Sequence, residues 1–158
     1  MKNPNRNAGS AMSKHLITVQ MNDTVKSAHE TMQKNRVRHL PVKDESGSII
    51  GVLSDRDVQR AVKGNGNSTI IEGAVVRDFM AWPIRSVEGQ TDLRVVATMM
   101  IDEKISSVLV TKSGFVVGIV TTEDMLKVLL ELLGDDGENI RYRLGDVLGE
   151  SYWSEASV

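Results

Sequence analysis

At 158 residues, with a formal net charge of −2, no cysteine and 41% hydrophobic residues, the chain is long enough for one ordinary domain or two small ones. The charge gives no electrostatic case for nucleic acid, and the missing thiol excludes disulfides, thiolate metal sites and a cysteine nucleophile. Residues 1–13 lack an apolar signal core, and the apolar run Met125 to Leu133 is broken by Lys127 and Glu131, so no secretory signal or membrane span is predicted and the cytoplasm is the expected compartment.

In chain order, residues 1–11 are rich in Asn with Pro4 and Gly9, and are expected to be a disordered arm. Leu16 to Val19 reads as a short β-branched strand. Asn22-Asp23-Thr24 then caps a helix whose Val25, Ala28 and Met32 share one face. His39 to Val42 and Ile49 to Leu53 read as strands joined by a polar turn containing Gly47, and a helix is predicted from Ser54 to about Lys63, ended by Gly64-Asn65-Gly66. Residues 68–79 read as a linker packed through its apolar parts. The order then recurs: Met80 to Val87 aligns with Met12 to Val19 at an offset of 68, followed by a helix with Leu93, Val96, Ala97, Met100 and Ile101 on its apolar face, Phe115 to Val120 as the last strand, and a closing helix over 122–133. Met32, Met99 and Met100 read as core filler. In residues 135–158, Ile140, Tyr142, Leu144, Val147 and Leu148 suit one more short helix, docked or mobile.

The recurrence is a duplication, because Gly51 and Asp57 return as Gly118 and Asp124 at the same offset of 67 residues. Each copy, β-α-β-β-α over 12–67 and 80–134, is too small to bury enough apolar surface alone, so the copies are expected to share a core. Both carry a strand-to-helix joint with a hydroxyl three residues before an aspartate, Ser54 with Asp57 and Thr121 with Asp124. That spacing caps a helix. The same geometry suits a nucleotide, since a helix start offers N–H groups to phosphate and a carboxylate accepts from ribose hydroxyls.

The joints, the β-α-β-β-α order, the segment Arg36-Val37-Arg38-His39-Leu40-Pro41-Val42 and the lead-in Val76-Arg77-Asp78-Phe79-Met80 resemble the cystathionine β-synthase (CBS) domain family, present as a tandem pair or Bateman module. The resemblance covers about Met12 to Leu133. It implies an α/β (α+β) fold in which the repeats pack through their sheets with pseudo-two-fold symmetry, two clefts for adenosine-containing ligands (AMP, ADP, ATP or S-adenosylmethionine), and a disc-like homodimer. Carried over, Asp57 and Asp124 hold ribose, Ser54 and Thr121 stand beside them, Thr18 and Ser86 face the nucleotide from the first strands, and Val37 and Ile105 cover adenine. Arg38 and His39 meet phosphate, with Arg56 beside them. Which copy's apolar residue completes which cleft stays open.

The second copy has Ser106, Ser107 and Glu123 where the first has Arg38, His39 and Arg56, so the clefts are expected to be unequal, the Ser54 and Asp57 cleft being better suited to a phosphorylated ligand. Leu109 standing in place of Pro41 is a further departure. His39 beside a strand proline also fits a purely structural role, and Arg36 and Arg38 fit solvated edge positions. His15, His29 and His39 lack metal-ligand spacing, and no nucleophile elbow, phosphate loop or carboxylate–histidine cluster occurs. The expectation is a regulatory, non-enzymatic module sensing an adenosine nucleotide, without a required cofactor, acting on its own dimer or on a protein partner. The competing reading is an assembly module whose Ser/Asp pairs only cap helices.

Overall fold

Thr24 and Asp92, at equivalent positions of the two copies, each end an extended stretch and start a helix by accepting a backbone N–H, from Ser27 at 3.1 Å and from Arg94 at 2.8 Å. From such local instructions the computed structural model, which describes residues 6–63 and 69–133, builds the same unit twice. In the first, β1 (Val19–Gln20) runs parallel to β2 (His39–Lys43), which pairs antiparallel with β3 (Ile49–Ser54); α2 (Val25–Asn35) and α3 (Asp55–Arg60) follow β1 and β3. A short α1 (Ala8–Ala11) precedes this unit. The second repeats it with β6 (Ser86–Glu88), α4 (Leu93–Asp102), β7 (Ser107–Lys112), β8 (Phe115–Thr121) and α5 (Thr122–Leu133). Between the units, β4 (Val62–Lys63) pairs antiparallel with β5 (Thr69–Ile70), and a 3-10 turn covers Val76–Asp78. Both hairpins carry a register shift at matching places, Val42/Lys43 and Val110/Thr111. Residues up to Leu126 form one compact unit, and the remaining turns of α5, from Lys127, fall in a second.

The mixed α/β fold of two β-α-β-β-α repeats is therefore as predicted, and the departures have local causes. The helix after Ser54 stops at Arg60, because Val62 and Lys63 extend to pair with Ile70 and Thr69 and the Ala61 carbonyl accepts from Ile71 at 2.8 Å. The first strand forms at Val19–Gln20, the only residues of that stretch whose backbones pair with β2. Ile101, assigned to the apolar face of α4, is 74% exposed, while Leu93, Val96 and Met100 are buried. Met32 and Met100 are core residues and Met99 is half-buried. The predicted tail helix lies outside the described residues.

Residues 6–11 are not a disordered arm. Asn7 caps α1 by a reciprocal pair of bonds with Ser10, and Ala8 is fully buried. The segment docks on the second repeat: Ala8 N–H donates to the Thr91 carbonyl at 2.8 Å, Gly9 N–H to Gly89 at 2.7 Å, and Leu93 N–H to Arg6 at 3.1 Å. The lead-in of the second repeat makes the equivalent bonds to the first, where Val76 N–H donates to Asp23 at 2.9 Å, Arg77 N–H to Met21 at 3.0 Å, and Val25 N–H to Ala74 at 2.8 Å. The exchange extends to the sheets. Ala81 pairs with Val52 beside β3, and Ser13 pairs with Ile119 beside β8. Ala74 and Val76 of the linker complete the cluster built by Val25, Met32, Leu40, Leu53 and Val58 of the first repeat, and Met80 packs against it.

The duplicated glycines sit where these segments cross. A Cβ at Gly51 would stand 2.7 Å from Met80 Sδ and 2.9 Å from the Ala81 carbonyl oxygen, and one at Gly118 would stand 2.8 Å from Met12 Cγ and 3.0 Å from the Ser13 carbonyl oxygen. Gly51→Ala should destabilise the protein by about 1–3 kcal/mol in urea unfolding. Adding Met80→Ala should not restore the loss, because the backbone carbonyl of Ala81 still blocks the methyl group.

Candidate functional site

β3 ends at Ser54, whose backbone leaves the sheet to start α3, and this places a capping box at the rim of a cleft. The Asp57 carboxylate accepts from Ser54 N–H at 2.8 Å and from Ser54 Oγ at 2.6 Å through Oδ2, while Oδ1 accepts from Arg60 at 2.7 Å. The second joint repeats the pattern, with Asp124 Oδ2 accepting from Thr121 N–H and Oγ1, each at 2.8 Å, and Asp124 buried. Both pairs are thus helix caps by geometry. The joints are also pinned to the strand beside them, Asp55 N–H donating to the Arg38 carbonyl and Thr122 N–H to the Ser106 carbonyl, each at 3.0 Å.

The Ser54–Asp57 cleft is built by both repeats. His39, Val52, Ser54, Arg56 and Asp57 line one side; the lead-in residues Ala81, Pro83, Ile84 and Arg85 and the α4–β7 corner Lys104, Ile105, Ser106 and Ser107 line the other. Among the expected site residues, the structure brings Ser54, Arg56, Asp57, His39 and Ile105 together, so the question of which apolar residue completes this cleft is answered by the second repeat's Ile105. It does not bring the others there. Val37 packs half-buried against the first repeat's core, Arg38 is exposed and turns its carbonyl to α3, and Thr121 and Asp124 form the other joint. Thr18 and Ser86 line a different cavity, between the hairpins.

Two cations in the cleft were missed from sequence. Lys104 is exposed, has no acidic partner among the described residues, and adopts φ 55°; its equivalent in the first repeat, Arg36, adopts φ 53°. Arg85 pairs with Glu103. The signal lay in the repeat itself, since Arg36 and Lys104 both precede the apolar residues Val37 and Ile105 matched to adenine. In both copies a long basic side chain takes the left-handed backbone more commonly given to Gly or Asn.

His39 stands at the floor of the cleft and bonds across the repeats, its Nε2 lying 2.7 Å from Ser106 Oγ. Burial holds the imidazole below its ordinary pKa, helped by Arg38 and Arg56 and opposed by Asp55 and Asp57. Neutral His39 is therefore favoured in the folded chain. Because the unfolded chain binds the proton more readily, stability should fall as pH drops through the ordinary histidine range and level off above it. In urea unfolding between pH 7 and 5, His39→Gln should show a shallower loss of stability than the wild type. Equal slopes would remove His39 from the linkage.

Comparison with known proteins agrees with this architecture. The CBS domain profile matches residues 8–64 and again 76–131. The chain is 28% identical over 129 residues to an L-aspartate semialdehyde sulfurtransferase of Methanocaldococcus jannaschii, covering 81% of this chain and 24% of that protein. It is 26% identical over 130 residues to a CBS domain-containing protein of Dictyostelium discoideum, covering 77% of this chain and 90% of that one. The chain thus spans only part of the sulfurtransferase. Among solved structures, the CBS domain pair of protein MJ0100 in complex with 5′-methylthioadenosine and S-adenosyl-L-methionine matches with a TM-score of 0.67 at 26% identity, covering 78% of this chain and 99% of that one.

Proposed function

The chain belongs to the CBS domain family as a tandem pair, and on that premise we propose that it is a regulatory module whose Ser54–Asp57 cleft binds an adenosine phosphate of the AMP, ADP or ATP kind. One observation carries this reading: the cleft combines a helix-capping hydroxyl and carboxylate with an apolar Ile105 and with cations drawn from both repeats. Asp57 is matched to ribose, Ile105 to the base, and Arg56 and Lys104 to phosphate. Arg56 and Lys104 have no acidic partner among the described residues, which favours an anion over the cationic sulfonium of S-adenosylmethionine. The 68-residue equivalence gives the Thr121–Asp124 joint Val37 and Arg36 in the same way, opposed by Glu123, so the clefts differ in charge.

A ligand so held touches both repeats and shifts their arrangement by its differential affinity for the alternatives. The reading is non-catalytic. His39 and Ser106 form the only nucleophile-and-base-like contact in the cleft, and no carboxylate bonds the second imidazole nitrogen among the described residues, so no triad is completed. The output is read by a second copy or by a protein partner. Exposed Val95 and Ile101 on α4 and Leu126 on α5 support a homodimer. Ile101→Glu should then shift sedimentation from dimer to monomer, whereas a wild-type chain that sediments as a monomer sinks the dimer.

A second reading has its own observation. Asp57 already accepts from Ser54 and Arg60, and this carboxylate needs no ligand to be satisfied. On that reading the module only assembles. Titration of AMP, ADP, ATP, S-adenosylmethionine and 5′-methylthioadenosine in thermal unfolding separates the two, since a ligand at 100 times its dissociation constant adds about 2.7 kcal/mol. The expected result is stabilisation by a phosphorylated compound, lost in Asp57→Ala and weakened by about tenfold in affinity in Lys104→Gln. The assembly reading wins if no compound stabilises and Asp57→Ala costs only the roughly 0.5–2 kcal/mol of a lost cap.

A further inference from the structure

Thr18 and Ser86 are left without a task by the nucleotide cleft, and the structure places both in one cavity of about 770 Å³ between the two β-hairpins. That volume lies within the range of small-molecule sites. Apart from Ser46, the cavity is lined in matched pairs from the two repeats: Leu16 with Ile84, Thr18 with Ser86, Lys43 with Thr111, Gly47 with Gly114, Ser48 with Phe115, and Ile49 with Val116. Four pairs keep the same chemistry. Two break it, putting one cation, Lys43, and one aromatic ring, Phe115, into an otherwise symmetric chamber.

The backbone brings these groups there by a shared device. Lys43 and Thr111 are the residues after the register shift in each hairpin, where the local kink re-aims a side chain. Lys43 is half-buried with no acidic partner among the described residues, and Phe115 is 76% exposed. No carboxylate lines the cavity. The adjacent acid, Asp44, is consumed by its turn, where Oδ1 accepts from Ser46 Oγ at 2.6 Å, Ser46 N–H at 2.9 Å and Ser48 N–H at 3.0 Å. The hydroxyls of Thr18 and Ser86 make no hydrogen bond among the described residues and are open to a ligand.

We propose that this inter-hairpin cavity, which adjoins the Ser54–Asp57 cleft at Ile84, is a second ligand site for a small aromatic anion whose charged head meets Lys43 with Thr18 and Ser86 and whose ring lies on Phe115. The broken symmetry orients the ligand, since head and ring cannot exchange ends. The site does not depend on the reading of the Ser54–Asp57 cleft.

Phenyl phosphate, a dianion on a planar ring, is the probe, followed by amide chemical shifts of the full chain. Saturable shifts should appear at Lys43, Gly47, Gly114 and Phe115. The variants are those that restore the twin residue, Lys43→Thr and Phe115→Ser, with Lys43→Gln as a milder substitute. Either Lys43 variant should weaken binding by about tenfold or more, and Phe115→Ser by about threefold or more. Asp57→Ala, which disables the nucleotide cleft, should leave the dissociation constant unchanged. Absence of saturable shifts, indifference to both Lys43 variants, or loss of binding in Asp57→Ala would each overturn the proposal.

Discussion

Everything in this fold depends on an exchange of lead-in segments. Each repeat is preceded by a turn of helix and a methionine that belong, in space, to the other repeat: residues 7–13 close the second sheet, and residues 75–81 close the first. Neither repeat is large enough to be comfortable alone, and each sheet would otherwise expose the edge beside β3 or β8. The exchange addresses both problems together. It covers the edges with backbone hydrogen bonds and carries Ala74 and Val76 into the first repeat's core. The two glycines are small because a methionine and a carbonyl lie on each of them.

The composition of the Ser54–Asp57 cleft is a consequence of that exchange. The segment that pairs with Val52 through Ala81 continues directly as Pro83, Ile84 and Arg85, which line the cleft opened by Ser54 two residues after Val52. A site at the end of β3 therefore receives half its wall from the other repeat without any further architectural device. The His39 to Ser106 bond crosses the same seam at the floor of the cleft. A ligand bound in this position would touch the interface that holds the repeats together, and would have a route to altering their arrangement.

The sequence made the repeat, its strand and helix order and both capped joints legible, because each rests on local chemistry: periodic apolar residues, Thr24 as a cap, Ser54 and Thr121 three residues before an acid. What it hid was relational. Ala8 to Met12 looks like polar arm by composition, and only its equivalence to Val76 to Met80 marks it as a docked segment. Ile101 sits on the right helical face and is still exposed, since periodicity describes one helix and says nothing of what covers its end. The family resemblance matches Arg38 to phosphate, whereas the cations that line the cleft are Arg56 and, across the seam, Lys104 and Arg85.

Within one chain the two repeats act as each other's control. Positions that match, Gly51 and Gly118, Met12 and Met80, Ser54 and Thr121, Asp57 and Asp124, each have a folding reason in both copies: a close crossing, a packed lead-in, a helix cap. Their recurrence therefore says nothing by itself about a ligand, since the duplicated backbone demands them. Positions that differ are released from that demand. The second repeat has Glu123 in place of Arg56, Ser107 in place of His39, Thr111 in place of Lys43 and Phe115 in place of Ser48; Arg56, His39 and Ser107 line the Ser54–Asp57 cleft, while the last two pairs line the inter-hairpin cavity. Divergence at lining positions, on a backbone held the same, makes the charge of each site a property of side chains alone. The fold supplies two equivalent frames, and these few substitutions decide what each can hold.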